Sequence, residues 1–133
     1  MSEEVARRIL TEHLTWAVVG WSPSPGRDSH RVASFLESRG YRVIRVNPNA
    51  CDEHPDCFPD LASIDDPVDV VDVFRRSEAA GAHVDEAIEI GAKAVWLQLG
   101  VIDPAAIRRA EDAGLDAVMD RCPAIDHPRL VGV

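Results

Sequence analysis

Apolar and polar positions alternate along this chain with two different periods. Over residues 3–14, Val5, Ala6, Ile9 and Leu10 fall at helical spacing on one face, which predicts a helix. The next apolar stretch, WAVVG (16–20), is short, β-branched and closed by glycine, the pattern of a strand. Helical spacing returns over 29–39, where Val32, Phe35 and Leu36 form one stripe and Gly40 supplies the stop. YRVIRVN (41–47) predicts a second strand, ended by Pro48. A helical turn is expected around PDLASI (59–64), stopped before Pro67, and VDVVDVF (68–74) reads as a third strand. Ser77 is placed to cap a helix running to Ile90, with Val84, Ala87 and Ile88 inward and Gly91 closing it. AVWLQLG (94–100) gives a fourth strand. Asp103 followed by Pro104 is a cap with a first-turn proline, opening a helix that runs to Gly114, and AVMDR (117–121) supplies a fifth strand.

Strands rich in valine on both faces and separated by helices argue for a parallel sheet covered on both sides. The expected fold is therefore α/β: a doubly wound, five-stranded, Rossmann-like parallel sheet with strand order 3-2-1-4-5. Residues 1–133 fit one such domain, with no internal repeat, linker or low-complexity segment.

Composition narrows the function classes. With 46% apolar and 28% charged residues the chain is an ordinary globular one, and no apolar run approaches the roughly 18 residues of a membrane span. The start, MSEEVARRIL, lacks a signal peptide's apolar stretch, so the cytoplasm is the expected location and no membrane partner is foreseen. A net charge of −9 repels phosphate backbones and argues against nucleic-acid binding. Lys93 is the single lysine among 14 basic residues, a bias that suits either a salt-adapted or a GC-rich source. Three cysteines, an odd number, do not make a disulfide framework. Two of them lie in CDEHPDC, where Cys51, Asp52, Glu53, His54 and Cys57 have a loosely metal-like spacing. Structural zinc wants four ligands and no second Cys/His cluster follows, so an exposed, variable loop without metal is expected there.

The predicted fold says where chemistry belongs. Ligands of open α/β sheets sit beyond the carboxyl ends of the strands, where the strand order reverses. On the expected order that is the crevice between the first and fourth strands, bordered by Gly20–His30, Asn47–Pro48, Phe74–Arg76, Gln98–Gly100 and Asp120–Cys122. In AVVGWSPSPGRDSH, Gly20 permits a tight turn and close backbone approach. Ser22, Ser24 and Ser29 add hydroxyls, Arg27 a charge, and the following helix start its free amides, a combination that suits an anion. Pro23 and Pro25 make this a wider and stiffer cradle than the G-x-G-x-x-G turn. The second strand ends in Asn47–Pro48, not in the carboxylate that usually holds the ribose of NAD, which demotes that cofactor. Arg75 and Arg76 end the third strand, and arginine matches phosphate bidentately. Gln98, near the end of an apolar strand, must find partners for its amide if it is buried. Trp16, Trp21 and Trp96 suit the core, and Trp21 also joins the ligand-facing set by its place directly after Gly20.

Four stretches in order, AVVGWSPSPGRDSHRVASFLESRGYRVIRVNPN, VDVVDVFRRSEA, GAKAVWLQLGV and AVMDRCPAIDH, resemble the small stand-alone CoA-binding proteins. That family is related to the CoA-binding Rossmann domain of the succinyl-CoA synthetase alpha subunit. The resemblance spans about residues 3–130 and implies a site for coenzyme A or an acyl-CoA at the strand ends. It implies that Gly20, Ser22, Ser29 and His30 face the pyrophosphate and that Asn47 and Pro48 border the adenosine. Phe74 and Arg75 would lie along the path to the pantetheine, with Gln98 and Gly100 beyond. Cys122, after the fifth strand, is expected near the pantetheine thiol. Arg45 stands where the family strand usually has proline, and the loop after Asn47 is short and acidic. The chain lacks the second domain that carries the synthetase's phosphohistidine, and it shows no catalytic series or Gly-x-Ser-x-Gly elbow. A binding module without catalysis of its own, with an enzyme partner left open, is the expectation. A small NAD(P)- or thiol-dependent redox or sensor domain is the alternative.

Overall fold

A computed structural model describes residues 2–51 and 54–132. In chain order the main elements are α1 (Ser2–Glu12), β1 (Thr15–Val19), α2 (Asp28–Ser38), β2 (Arg42–Val46) and β3 (Cys57–Phe58). There follow β4 (Val70–Val73), α3 (Ser77–Glu89), β5 (Ala94–Leu97), α4 (Pro104–Asp112), β6 (Asp116–Val118) and α5 (Pro123–Asp126). All pairings are parallel, in the order β3-β2-β1-β4-β5-β6. The Rossmann-like α/β architecture is as expected, but the sheet has six strands where five were predicted.

The sixth strand changes the topology. Cys57 and Phe58 pair with Arg45 and Val46 and occupy the sheet edge that the predicted order gave to VDVVDVF. Val70–Val73 lies instead on the far side of β1, in register with Trp16–Val19. The order therefore reverses between β1 and β4, not between the first strand and AVWLQLG. A two-residue strand inside a Pro- and acid-rich loop has no alternation to betray it; only pairing with β2 defines it.

The same pairing brings Cys57 back beside Cys51, and the two close a disulfide with Cα atoms 5.0 Å apart. The expected loop without cross-link is thus corrected: the odd cysteine is Cys122, buried as a free thiol. Asp52 and Glu53 lie outside the described residues. Among the described residues no group of three or more His, Cys, Asp or Glu is placed to hold a metal ion. None of the helices described is long and apolar enough to cross a membrane. A bridge over so short a loop restricts the unfolded chain by about 2 kcal/mol. Adding reductant should therefore lower Tm by several degrees in differential scanning calorimetry, while a Cys51→Ser/Cys57→Ser double variant should melt alike with and without it.

Strand alternation sends each side chain to one of two apolar layers. Ala17, Val19, Ile44, Val71, Val73 and Leu97 pack beneath α3 and α4, against Ala80, Val84, Ala87, Ala106 and Ala110. Trp16, Val18, Val43, Val70 and Trp96 pack beneath α1 and α2, against Ile9, Leu10, Val32, Ala33 and Leu36. Small residues on α3 and α4 let those helices lie close to the sheet, whereas the tryptophans fill the opposite layer. Trp16 and Trp96 meet with ring centroids 5.6 Å apart, and each indole N–H reaches a backbone carbonyl, of His13 and Arg121 respectively.

Asp103 caps α4 as predicted, accepting from the Ala106 N–H. Ser77 is the first residue of α3 and not its cap; its hydroxyl serves a different purpose at the site. After β6 the chain forms α5 and a wider, π-helical turn over His127–Val131 that carried no sequence signal of its own. Asp126, buried there, accepts from Arg121 at 2.6 Å, and Arg129 reaches both Asp126 and Glu3. These bonds fasten the end of the chain to α1.

Candidate functional site

The site is built around Gly20. Its N–H continues the ladder to the Val46 carbonyl at 2.9 Å, and it turns with φ +85°. A Cβ there would stand 2.5 Å from the Phe74 carbonyl oxygen. Three strand ends, of β1, β2 and β4, thus meet at a residue that must lack a side chain.

The loop beyond it is tied to itself. The Ser29 hydroxyl is buried and accepts from the Ser22 N–H at 3.0 Å, while the Ser22 hydroxyl accepts from the Ser24 N–H at 3.1 Å. Each keeps its O–H to donate. His30 Nδ1 lies 3.2 Å from the Ser22 carbonyl. Asn47 locks the loop to the end of β2: its Nδ2 donates to the Trp21 carbonyl at 2.7 Å and its Oδ1 accepts from the Asn49 N–H at 2.8 Å. No side chain caps the start of α2, so its first amides remain open to an anion. Asp28 in that first turn opposes an anion, but it is paired with Arg31.

Gly20, Ser29, Phe74 and Gln98 come together around a crevice of about 200 Å³ at the switch between β1 and β4. Arg27, Asp28 and Leu99 complete its rim. Gln98 is 6% exposed, and its Oε1 is buried without a hydrogen-bond partner. An unpaired buried amide oxygen costs about 1–3 kcal/mol, so a ligand that let this amide turn and meet a donor would relieve that cost. Asp28, Gln98 and Leu99 also border a neighbouring groove of about 430 Å³ that is lined by Cys122.

The other candidates lie elsewhere. Pro48 and Arg75 line a small pocket of about 90 Å³ on the opposite side of Gly20, with Asp60 and His83. Arg75 is exposed and has no ion pair among the described residues, whereas Arg76 pairs with Glu78 at 3.2 Å. Trp21 is buried, stacked with His30 at 6.0 Å, and lies beneath a cleft of about 490 Å³ that opens toward β2. Arg45 borders the same cleft. It is 5% exposed, makes a bidentate pair with Glu37 at 2.8 and 3.0 Å, and lies 5.3 Å from the Trp21 ring centroid.

Gly100 does not line the crevice. Its N–H donates to Asp120 Oδ1 at 2.7 Å and its carbonyl accepts from the Ser77 hydroxyl at 3.3 Å. The same hydroxyl accepts from the Ile102 N–H at 2.9 Å. Asp120, expected on the crevice border from its strand end, and Ser77, expected only as a helix cap, therefore hold the loop that presents Gln98 and Leu99. Asp120 does so with φ +58°, a conformation that short polar side chains tolerate. A Ser after Arg76 reads only as a cap, and an Asp at a strand end gives no hint of its partner, so spacing alone could not show that the two fasten one loop.

One buried acid lies just below. Alternation along β4 puts Asp72 on the same face as Val70 and Phe74, and in register it faces Trp96. It is fully buried, and both carboxyl oxygens lack a partner. Burial pushes its pKa well above the usual carboxylate range.

A doubly wound parallel sheet with an anion-ready loop at its switch point is the frame of a nucleotide-cofactor binding domain. The chain belongs to the CoA binding domain family, whose model it matches over residues 14–128. It is 35% identical over 128 residues to the uncharacterized protein YneT of Bacillus subtilis (strain 168), covering 95% of this chain and 94% of that one. Among solved structures it is similar to Prb, a protein redesigned for binding, with 40% identity and a TM-score of 0.93 over 100% of this chain and 94% of that one. At 21% identity it shares its fold with the dinucleotide-forming acetyl-coenzyme A synthetase 1 of Ca. Korarchaeum cryptofilum. There the TM-score is 0.69, over 86% of this chain and 27% of the synthetase.

Proposed function

We propose that this protein binds coenzyme A along the carboxyl ends of its strands, with the pyrophosphate on the Gly20–His30 loop and the pantetheine arm crossing Gln98. The observation that carries this is Gln98, a nearly buried amide whose oxygen has no hydrogen-bond partner among the described residues, in the lining of the crevice that begins at Gly20. The pantetheine arm offers amide N–H groups, which are the donors such an atom requires. Membership of the CoA binding domain family supports the same ligand.

NAD fits less well. The residue at the end of β2, where a carboxylate would hold ribose hydroxyls, is Asn47, and both ends of its amide are already engaged. Ser22, Ser29 and the open amides of α2 address the pyrophosphate, and Arg75 contributes charge from the far side of Gly20. The chain's role in this reading is to bind and orient the cofactor.

At about 100 times its dissociation constant, CoA should stabilise the native state by about 2.7 kcal/mol. For a domain of this size that is a rise in Tm of about 5–10 °C. NAD at equal concentration should raise it less. In calorimetric titrations Gln98→Leu and Arg75→Ala should each weaken CoA binding by about 1–3 kcal/mol. Arg109→Ala serves as control, because that guanidinium is committed to Asp85 at 2.9 Å on an exposed face. An equal shift with inorganic phosphate alone, or equal effects of all three substitutions, would overturn the assignment.

A further inference from the structure

Resting on the reading above, we infer that the groove beyond Gln98 receives the acyl chain of a CoA thioester, so that the preferred ligand is an acyl-CoA with a short to medium apolar chain. The crevice and the groove are neighbours: Asp28, Gln98 and Leu99 border both. Gln98 borders both spaces, and its amide is the polar group that a pantetheine arm would meet between them. Past Gln98 the lining turns apolar, with Val32, Phe35, Cys122, Ala124 and Ile125.

Two large aliphatic side chains of the groove are open to solvent: Leu99 is 53% exposed and Ile125 51% exposed. Large aliphatic side chains held open toward a common space gain by covering, and a chain laid between them would supply it. Free coenzyme A ends in a thiol and has no methylenes to lay along Phe35 and Ile125. A thioester is uncharged and carries its methylenes onward between them. The polar groups at the rim, Asp28 and Arg31, are paired with each other and offer no charged partner to a carboxylated acyl group. An unbranched, uncharged chain is the class that fits.

The test is a calorimetric series on the full chain with CoA and its acetyl, butanoyl, hexanoyl and octanoyl thioesters. Affinity should rise by about two- to fourfold per added methylene until the groove is filled, fourfold corresponding to full burial. Ile125→Ser should flatten that rise and leave affinity for free CoA within about twofold, a small effect being usual for an exposed position. Ile90→Ser, an exposed apolar residue on the far end of α3, should leave the rise intact. If free CoA binds as well as or better than every thioester, the inference falls while the CoA assignment stands. A chain-length dependence that Ile125→Ser does not alter also overturns it. If neither CoA nor any thioester binds, both readings fall together. Should Ile125→Ser convert a dimer to a monomer in sedimentation without changing the series, the groove is an interface between copies and the inference is wrong.

Discussion

Gly20→Ala is expected to destabilise the protein by about 2–5 kcal/mol and to abolish CoA binding. About 1–2 kcal/mol follows from holding an L-residue in the left-handed region that Gly20 occupies at φ +85°. About 1–3 kcal/mol more follows from overpacking, because the new Cβ would meet the Phe74 carbonyl oxygen at 2.5 Å. That oxygen is backbone of the strand end beside β1, so it moves only if the two strand ends part. Parting them opens the floor on which the pyrophosphate is proposed to rest. Thermal unfolding should show a fall of about 10 °C or more. Gly26→Ala is the control: nothing lies within 4 Å of a Cβ there, and its backbone is not left-handed. Equal Tm values for the two variants would mean that the strand ends do not depend on Gly20.

Asp72→Asn should stabilise the protein, and by more as the pH rises. In the unfolded chain the Asp72 carboxyl ionises near 3.9, as an ordinary aspartate does. In the fold, burial holds its pKa well above that value. Above about pH 4 the unfolded chain has therefore released a proton that the native state keeps. Linkage then makes stability fall with rising pH, by up to about 1.4 kcal/mol per unit, until the native carboxyl itself ionises. Asparagine has similar shape and does not titrate, so it removes that slope. Urea unfolding at pH 4, 6 and 8 should give curves for the two proteins that nearly coincide at pH 4 and separate progressively. Parallel curves across the series would sink the account. An increasing advantage of Asp over Asn at high pH would do so as well, since it would mean that a partner stabilises the carboxylate.

These two residues divide between what a sequence reveals and what a fold creates. Gly20 could be singled out from WAVVG followed by a proline-rich loop, because a glycine that ends an apolar strand and precedes a helix start has few other uses. Asp72 lies in VDVVDVF, which reads as a valine-rich strand, and nothing in that run marks the acid as buried without a partner. It is buried because β4 is an interior strand with helices on both faces, so neither face of it is solvated.

The elements themselves were legible because their signals are local. Helical spacing, glycine stops and the Asp103–Pro104 start act within a few residues, and five of the six strands are valine-rich runs with clear ends. The turn at Gly20 and the helix start that follows it were legible for the same reason. What spacing could not supply was pairing. Cys57 and Phe58 become a strand only against Arg45 and Val46; that one pairing moved Val70–Val73 across the sheet and brought Cys51 and Cys57 together. Nor could it tell which polar atoms remain free. Asn47 and Gly100 are consumed by Trp21, Asn49, Asp120 and Ser77, all but Asn49 distant in sequence, whereas Gln98 is left with an unmet oxygen. By itself the sequence determined the α/β alternation, the anion-ready loop and the family, since each depends on residues close together along the chain. Strand order, the disulfide, the buried acid and the free acceptor of the crevice were decided by the tertiary structure alone, because each is a relation between segments that the chain brings together only on folding.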